Sequence, residues 1–85
     1  MDIVERIRDI NPLKISGKVT QIVGLVVEGF CPASTVGTLC ELTPLGGGVK
    51  VPAEVVGFRN SKALLMPLGD LRGLGPGSTI RVVRD

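Results

Sequence analysis

Residues 49–83 read VKVPAEVVGFRNSKALLMPLGDLRGLGPGSTIRVV. Short runs rich in Val, Leu and Ile are cut by Asn60-Ser61-Lys62 and by a Gly/Pro-dense segment over residues 68–77. No run is long enough for an ordinary helix, and closely spaced apolar runs between turn signals predict a small antiparallel sheet or barrel. Alternation is clean at the start: Val49, Val51 and Ala53 share one face, Lys50, Pro52 and Glu54 the other. Pro52 cannot donate to a ladder, so it belongs at an edge or bulge.

Working outward gives six strands over residues 17–23, 25–30, 36–43, 49–53, 63–67 and 79–83. Gly24 marks a sharp bend or bulge between the first two. Residues 31–35 (CPAST) form a loop, residues 44–48 (PLGGG) a glycine turn, and Asn60-Ser61 a hairpin tip. In the last strand Ile80 and Val82 point inward, Thr79 and Arg81 outward. Leu68, Leu71 and Leu74 pack the glycine-rich loop onto the sheet. Six short strands in 85 residues predict an all-β domain, a closed or nearly closed barrel that hides its sheet edges. No internal repeat is visible.

Residues 2–10 carry the one helical pattern. Ile3, Ile7 and Ile10 fall on one face with Val4 beside them, Asp2 and Glu5 resemble a capping box, and Asn11-Pro12 ends it. A helix this short is marginal alone in water, so its isoleucine face must dock on the barrel or on a partner. The chain divides into a helical segment at residues 1–12 and a barrel at residues 13–85.

Composition restricts function. A chain of this size buries roughly 60–65% of its unfolded surface, enough for a core but not for a large cavity. There is no His, Trp or Tyr, and Phe30 and Phe58 are the only aromatics. The commonest general base and zinc ligand is therefore missing. A net charge of +2 is weak for nucleic acid or an anionic membrane. Apolar runs fall far short of the ~20 residues that span a bilayer. The opening Asp2 and Glu5 do not resemble a signal peptide, which predicts a cytoplasmic protein. Cys31 and Cys40 lack the spacing of a zinc or redox motif and are expected as two thiols, Cys40 in the core.

Candidate chemistry is sparse. Gly46-Gly47-Gly48 is followed by Val49-Lys50-Val51, an extended run, where a phosphate loop needs Lys and Ser/Thr opening a helix. The glycines of residues 69–77 precede a strand and include Pro76, unlike a dinucleotide fingerprint. Asp70 is placed to pair with Arg72 or cap the loop. Arg59 and Lys62 flank the hairpin tip as solvated charges, and Glu28, Glu41 and Glu54 are surface strand residues. No catalytic set and no cofactor or metal site is expected in this chain.

The succession GKVTQIVGLVVEG, PASTVGTLCEL and AEVVGFRNSKALLMPLGDLRGLGPGS resembles the N-terminal β-barrel domain of the flagellar export ATPase and its type III secretion relatives. These are homologues of the catalytic subunits of rotary ATP synthases. The match runs over residues 17–85 and is densest at EVVGF and LLMPLG; the PAST loop leans towards the flagellar branch. The resemblance implies an ATP-hydrolysing parent whose ATP and magnesium are bound only in a catalytic domain absent from this chain. It implies homo-hexamer formation through barrel contacts, for which Arg59, Lys62, Asp70 and Arg72 are the candidate subunit contacts. It also implies binding of a stator-like regulatory protein by the extreme N-terminus, with Ile3, Val4, Ile7 and Ile10 as the contact stripe. The alternative is a small nucleic-acid-binding barrel, which would need stacking aromatics and a basic groove.

Overall fold

The computed structural model describes residues 16–84. The helical reading at Ile3, Val4, Ile7 and Ile10 lies outside the described residues. Strands β1 (Gly17–Val23), β2 (Val26–Phe30), β3 (Leu39–Thr43), β4 (Val51–Arg59), β5 (Lys62–Pro67) and β6 (Thr79–Arg84) close into a barrel in the order β1-β2-β5-β4-β3-β6. All neighbouring pairs are antiparallel.

The alternating side of each strand fills the barrel. Val19, Val27, Leu42, Val55, Leu65 and Ile80 are buried together with Cys31 and Cys40. Such small aliphatic side chains suit a narrow interior. Leu71, Leu74 and Val82 pack against this core. Leu68 does not: its amide donates to Pro52 O at 2.8 Å and extends the ladder by one bond, while its side chain points outward and is exposed. Within a strand a residue's N and O face the same neighbour, so the nitrogen of Pro52 also faces this rim, where β5 has ended.

Two strands, β3 and β4, depart from their expected bounds by more than one residue. β3 starts at Leu39 rather than residue 36, because Thr35-Val36-Gly37-Thr38 is a turn, with Gly37 at φ 97°. β4 starts at Val51 and runs to Arg59, and Val49 is 84% exposed ahead of it. Alternation alone could not separate an extended approach from a paired strand. The Asn60-Ser61 tip agrees with expectation, while Gly24, expected as a bend or bulge ahead of a strand from Leu25, forms a two-residue turn with Leu25. Gly24 takes φ 62° between the paired Val23 and Val26, and Asn60 and Ser61 both take positive φ between Arg59 and Lys62, as a type I′ turn requires.

A repeat that the sequence hides is present in the structure. β1-β2-β3 and β4-β5-β6 follow the same path, related by a pseudo-two-fold rotation. Gly17 and Lys18 pair with Ile80 and Thr79, as Ala53 and Glu54 pair with Cys40 and Leu39. β1 bulges between Val19 and Gln21, and β4 bulges between Val55 and Gly57. The turn before β3 and the turn before β6 match atom for atom. Gly37 and Gly77 sit at φ 97° and 93°, at the third position of type II turns. The buried hydroxyls of Thr38 and Ser78 accept the amides of Thr35 and Gly75 at 2.9 and 3.1 Å. Each turn then docks on the opposite half: Gly37 N donates to Val55 O at 2.8 Å, and Gly77 N to Val19 O at 2.9 Å. The rotation maps the pair Glu28–Leu64 onto itself, and likewise Glu41–Arg81, so the axis pierces the barrel at these two places.

Candidate interaction surface

The outer face of the sheet β1-β2-β5-β4 centres on Glu28. Its neighbour across the ladder is Leu64, and Gln21 pairs with it from β1. Although it faces outward, Glu28 is only 5% exposed. Gln21 Nε2 donates to Oε1 at 3.0 Å and the Arg59 guanidinium donates to Oε2. The Gln21 hydrogen bond, with smaller contributions from the charges of Arg59 and Lys62, holds the carboxyl below its ordinary range despite the opposing effect of burial. Val23, Val26 and Leu64 wall a shallow groove of about 200 Å³ beside the Glu28–Arg59 pair. Exposed Phe30 and Met66 extend the apolar face.

A second hollow, of about 480 Å³, lies at the rim where β4 begins, lined by Val49, Lys50, Val51, Pro52, Gly69, Asp70 and Arg72. Asp70 does both things its position suggested. Oδ1 accepts the Arg72 amide at 3.0 Å, and Oδ2 accepts Arg72 Nε at 2.8 Å. These bonds, the side-chain one foremost, lower the Asp70 carboxyl. The Arg72 side chain is 91% exposed, so the pair is a solvated loop brace, worth little to stability. Nearby Glu41 accepts from Arg81 Nη2 at 2.6 Å and lies 3.8 Å from Lys50 Nζ.

The four candidate subunit contacts therefore form two groups. Arg59 and Lys62 are cross-strand partners beside Glu28. Asp70 and Arg72 sit at the other end of β4, roughly 24 Å away at the rise of an antiparallel strand. Reading along the sequence missed Glu28, taken as an ordinary surface residue. Its partner Arg59 is distant in the chain, and only the β4-β5-β2 neighbour order brings the two together. Glu28, Glu41 and Asp70 each pair with a guanidinium, and Glu41 has Lys50 beside it as well. Among the described residues no three His, Cys, Asp or Glu side chains converge as a metal site, and no helix is long and apolar enough to cross a membrane.

Residues 19–83 match the family model described as the β-barrel domain of the ATP synthase alpha/beta family. The chain is 42% identical over 83 residues to a flagellum-specific ATP synthase of Caulobacter vibrioides, covering 95% of this chain and 18% of the relative. It is 37% identical over 79 residues to the flagellum-specific ATP synthase of Bacillus subtilis, covering 92% and 18%. A type 3 secretion system ATPase of Pseudomonas savastanoi pv. phaseolicola is 38% identical over 76 residues, covering 89% and 17%. The chain thus spans less than a fifth of the length of these relatives.

Proposed function

The chain belongs to the ATP synthase alpha/beta family through its β-barrel domain, and from that premise we propose that it serves a protein-export ATPase of the flagellar or type III class as its assembly and regulator-binding module. The observation that carries this reading is the family match itself, which coincides with the closed barrel from β1 to β6. ATP and magnesium are handled in the parent by residues outside this barrel. The barrel's tasks are contact tasks: lateral association with neighbouring subunits of a hexamer, through surfaces that include Arg59, Lys62, Asp70 and Arg72, and capture of a stator-like regulatory protein through Ile3, Val4, Ile7 and Ile10. The parent works in the cytoplasm at the export machinery.

Guanidinium groups engaged by carboxylates and an apolar outer face support this reading over nucleic-acid binding. Single-strand binders stack bases on aromatics along a basic groove, whereas Phe30 and Phe58 lie apart on different strands and the net charge is small.

The test is overproduction of the 85-residue chain in a flagellated host that carries the parent ATPase. The chain should co-purify with the regulatory protein and reduce motility by sequestering it. Replacing Ile3 and Ile7 by Asp should abolish both effects while leaving the barrel's melting temperature within about 2 °C. Undiminished motility, with no regulatory protein recovered on the wild-type chain, would refute the proposal.

A further inference from the structure

The pseudo-two-fold separates what the barrel needs from what it does not. From Cys31 the first half reaches the turn at Gly37-Thr38 by the short loop of residues 32–36. From Pro67, the counterpart of Cys31, the second half takes the longer loop of residues 68–76 to Gly77-Ser78. That longer loop is held in place. Leu71 and Leu74 pack on the core, Leu74 N donates to Leu71 O at 3.0 Å, and Asp70 accepts the Arg72 amide. Gly69 backs onto the start of β4, where a Cβ would lie 3.6 Å from Val51 Cγ1. The loop thus forms one wall of the 480 Å³ hollow and β4 the other.

The β4 wall is an unfinished strand edge. Pro52 O accepts Leu68 N on the side where β5 ends. Strand alternation turns the backbone of Lys50, two residues earlier, to the same side. Lys50 has no ladder partner among the described residues, so its amide and carbonyl open into the hollow. Its ammonium is underused as well. Glu41, 3.8 Å from it, is already engaged by Arg81 at 2.6 Å, and Asp70 is engaged by Arg72. Val49 and Leu68 stand exposed beside it. β6 ends next to Leu39, at the other end of β3, so polypeptide continuing from it starts away from this rim.

We propose that the hollow binds an extended segment of another protein, of the pattern aliphatic–acidic–aliphatic, as a short strand added beside Lys50. The pattern follows from the geometry of an antiparallel pair. The guest residue opposite Lys50 takes both of its backbone bonds, and its side chain shares the outer face with the Lys50 ammonium, whose complement is a carboxylate. The guest residues on either side turn to the face of Val49 and Val51, where aliphatic side chains fit. Leu68 fills the next pairing position, at Pro52, and Pro52 has no N–H to donate, so only a short segment is accommodated. Main-chain bonds give such a site its affinity and the alternating side chains its selectivity. A loop already braced by Asp70 lowers the ordering cost of binding. The site is separate from the N-terminal stripe assigned to the regulatory protein, and its test leaves that stripe unchanged.

The experiment titrates the isotope-labelled 85-residue chain with the acetylated and amidated peptide Thr-Val-Glu-Val-Thr and follows the amide resonances by NMR. Saturable shifts should centre on Val49, Lys50, Gly69 and Arg72. N-methylation of the central peptide residue removes the donor to Lys50 O, leaves the protein untouched and should weaken binding by about fivefold. Lys50→Glu should weaken binding of the same peptide by about tenfold and favour Thr-Val-Lys-Val-Thr in its place. Equal binding of the two peptides by the wild-type chain, or shifts centred away from the hollow, would overturn the proposal. Shifts at Lys50 that follow the chain's own concentration without peptide would give the hollow to a second copy and overturn it as well.

Discussion

The half from β1 to β3 and the half from β4 to β6 fold alike with little sequence in common. What they share is small: a glycine at φ above 90° in each type II turn, and a buried hydroxyl one residue later. What they exchange is volume. Gly17 in the first half stands where the second has Ala53. Gly29 is the counterpart of Leu65, and Ile80 is the counterpart of Cys40. At these three places one half is large where the other is small, while Val19 and Val55 are the same residue, so the core at the unlike positions is filled only when the two halves meet. A shared backbone path therefore demands two turn devices, whereas packing density is a joint property of the pair.

The most damaging way to break this comparison is to make the first half resemble the second. A Cβ on Gly17 would lie 1.9 Å from the Phe30 carbonyl oxygen, a backbone atom that cannot step aside. Gly17→Ala should cost about 3 kcal/mol or more in urea unfolding, whereas Ala53 already carries its methyl at the equivalent place. Gly29→Ala should cost about 2–3 kcal/mol, since its Cβ would meet Ile80 Cδ1 at 2.6 Å and Lys18 O at 2.7 Å. Adding Ile80→Val removes the first clash but not the second and should return about 1 kcal/mol relative to the sum of the single changes. Additivity of the two would show that the exchange of volumes is not a packed unit.

The two turns give a matched pair of smaller effects. Thr38→Val and Ser78→Ala each strip a buried acceptor from an amide and should each cost about 1–2 kcal/mol. Nearly equal losses are expected if the turns are equivalent. A loss confined to one half would show that the other tolerates water or an alternative partner.

Acid acts on both axis positions. Glu28 is held low by Gln21 and then by Arg59, and Glu41 by Arg81, against the opposing effect of burial. A carboxyl whose folded pKa lies below its unfolded value stabilises the fold above the unfolded value, about 4.3 for Glu, and that contribution is lost as pH falls through the folded value. The melting temperature should therefore decline below about pH 4.3, and Glu41→Gln should flatten the decline. An unchanged acid profile in that variant would remove Glu41 from the account.

The smallest expected effect lies at the hairpin tips. Gly24 supplies a positive φ without strain in the first half, while Ser61 holds φ 68° with a side chain in the second. Ser61→Gly should gain up to about 0.5–1 kcal/mol and Gly24→Ala should lose about 1 kcal/mol, by thermal unfolding.

Much of the fold was legible because its signals are local. Alternation located the paired strands, and Gly24 and Asn60-Ser61 marked the tips. The repeat was not legible, since its constraints reduce to two glycines and two hydroxyls spread over unlike sequences. The boundary at Val49 was missed because an extended segment alternates whether or not a neighbour pairs with it. The Glu28–Arg59 pair was missed for a different reason: it is a consequence of β2 and β4 flanking β5, a fact of topology with no trace in spacing. Family resemblance carried the functional reading further than any residue pattern within the chain.

The strand order also dictates how the chain can be made. Only β1-β2, β3-β4 and β4-β5 join consecutive strands, and β1-β6 joins the two ends of the barrel. While residues up to Thr43 emerge from the ribosome, β3 has neither of its neighbours and β2 has only one. The apolar sides of both must wait until β4, β5 and β6 have been synthesised. Distant pairings of this kind slow folding and prolong exposure of sticky strands. For this barrel, synthesis to Arg84 precedes the first moment at which the ring of strands can close.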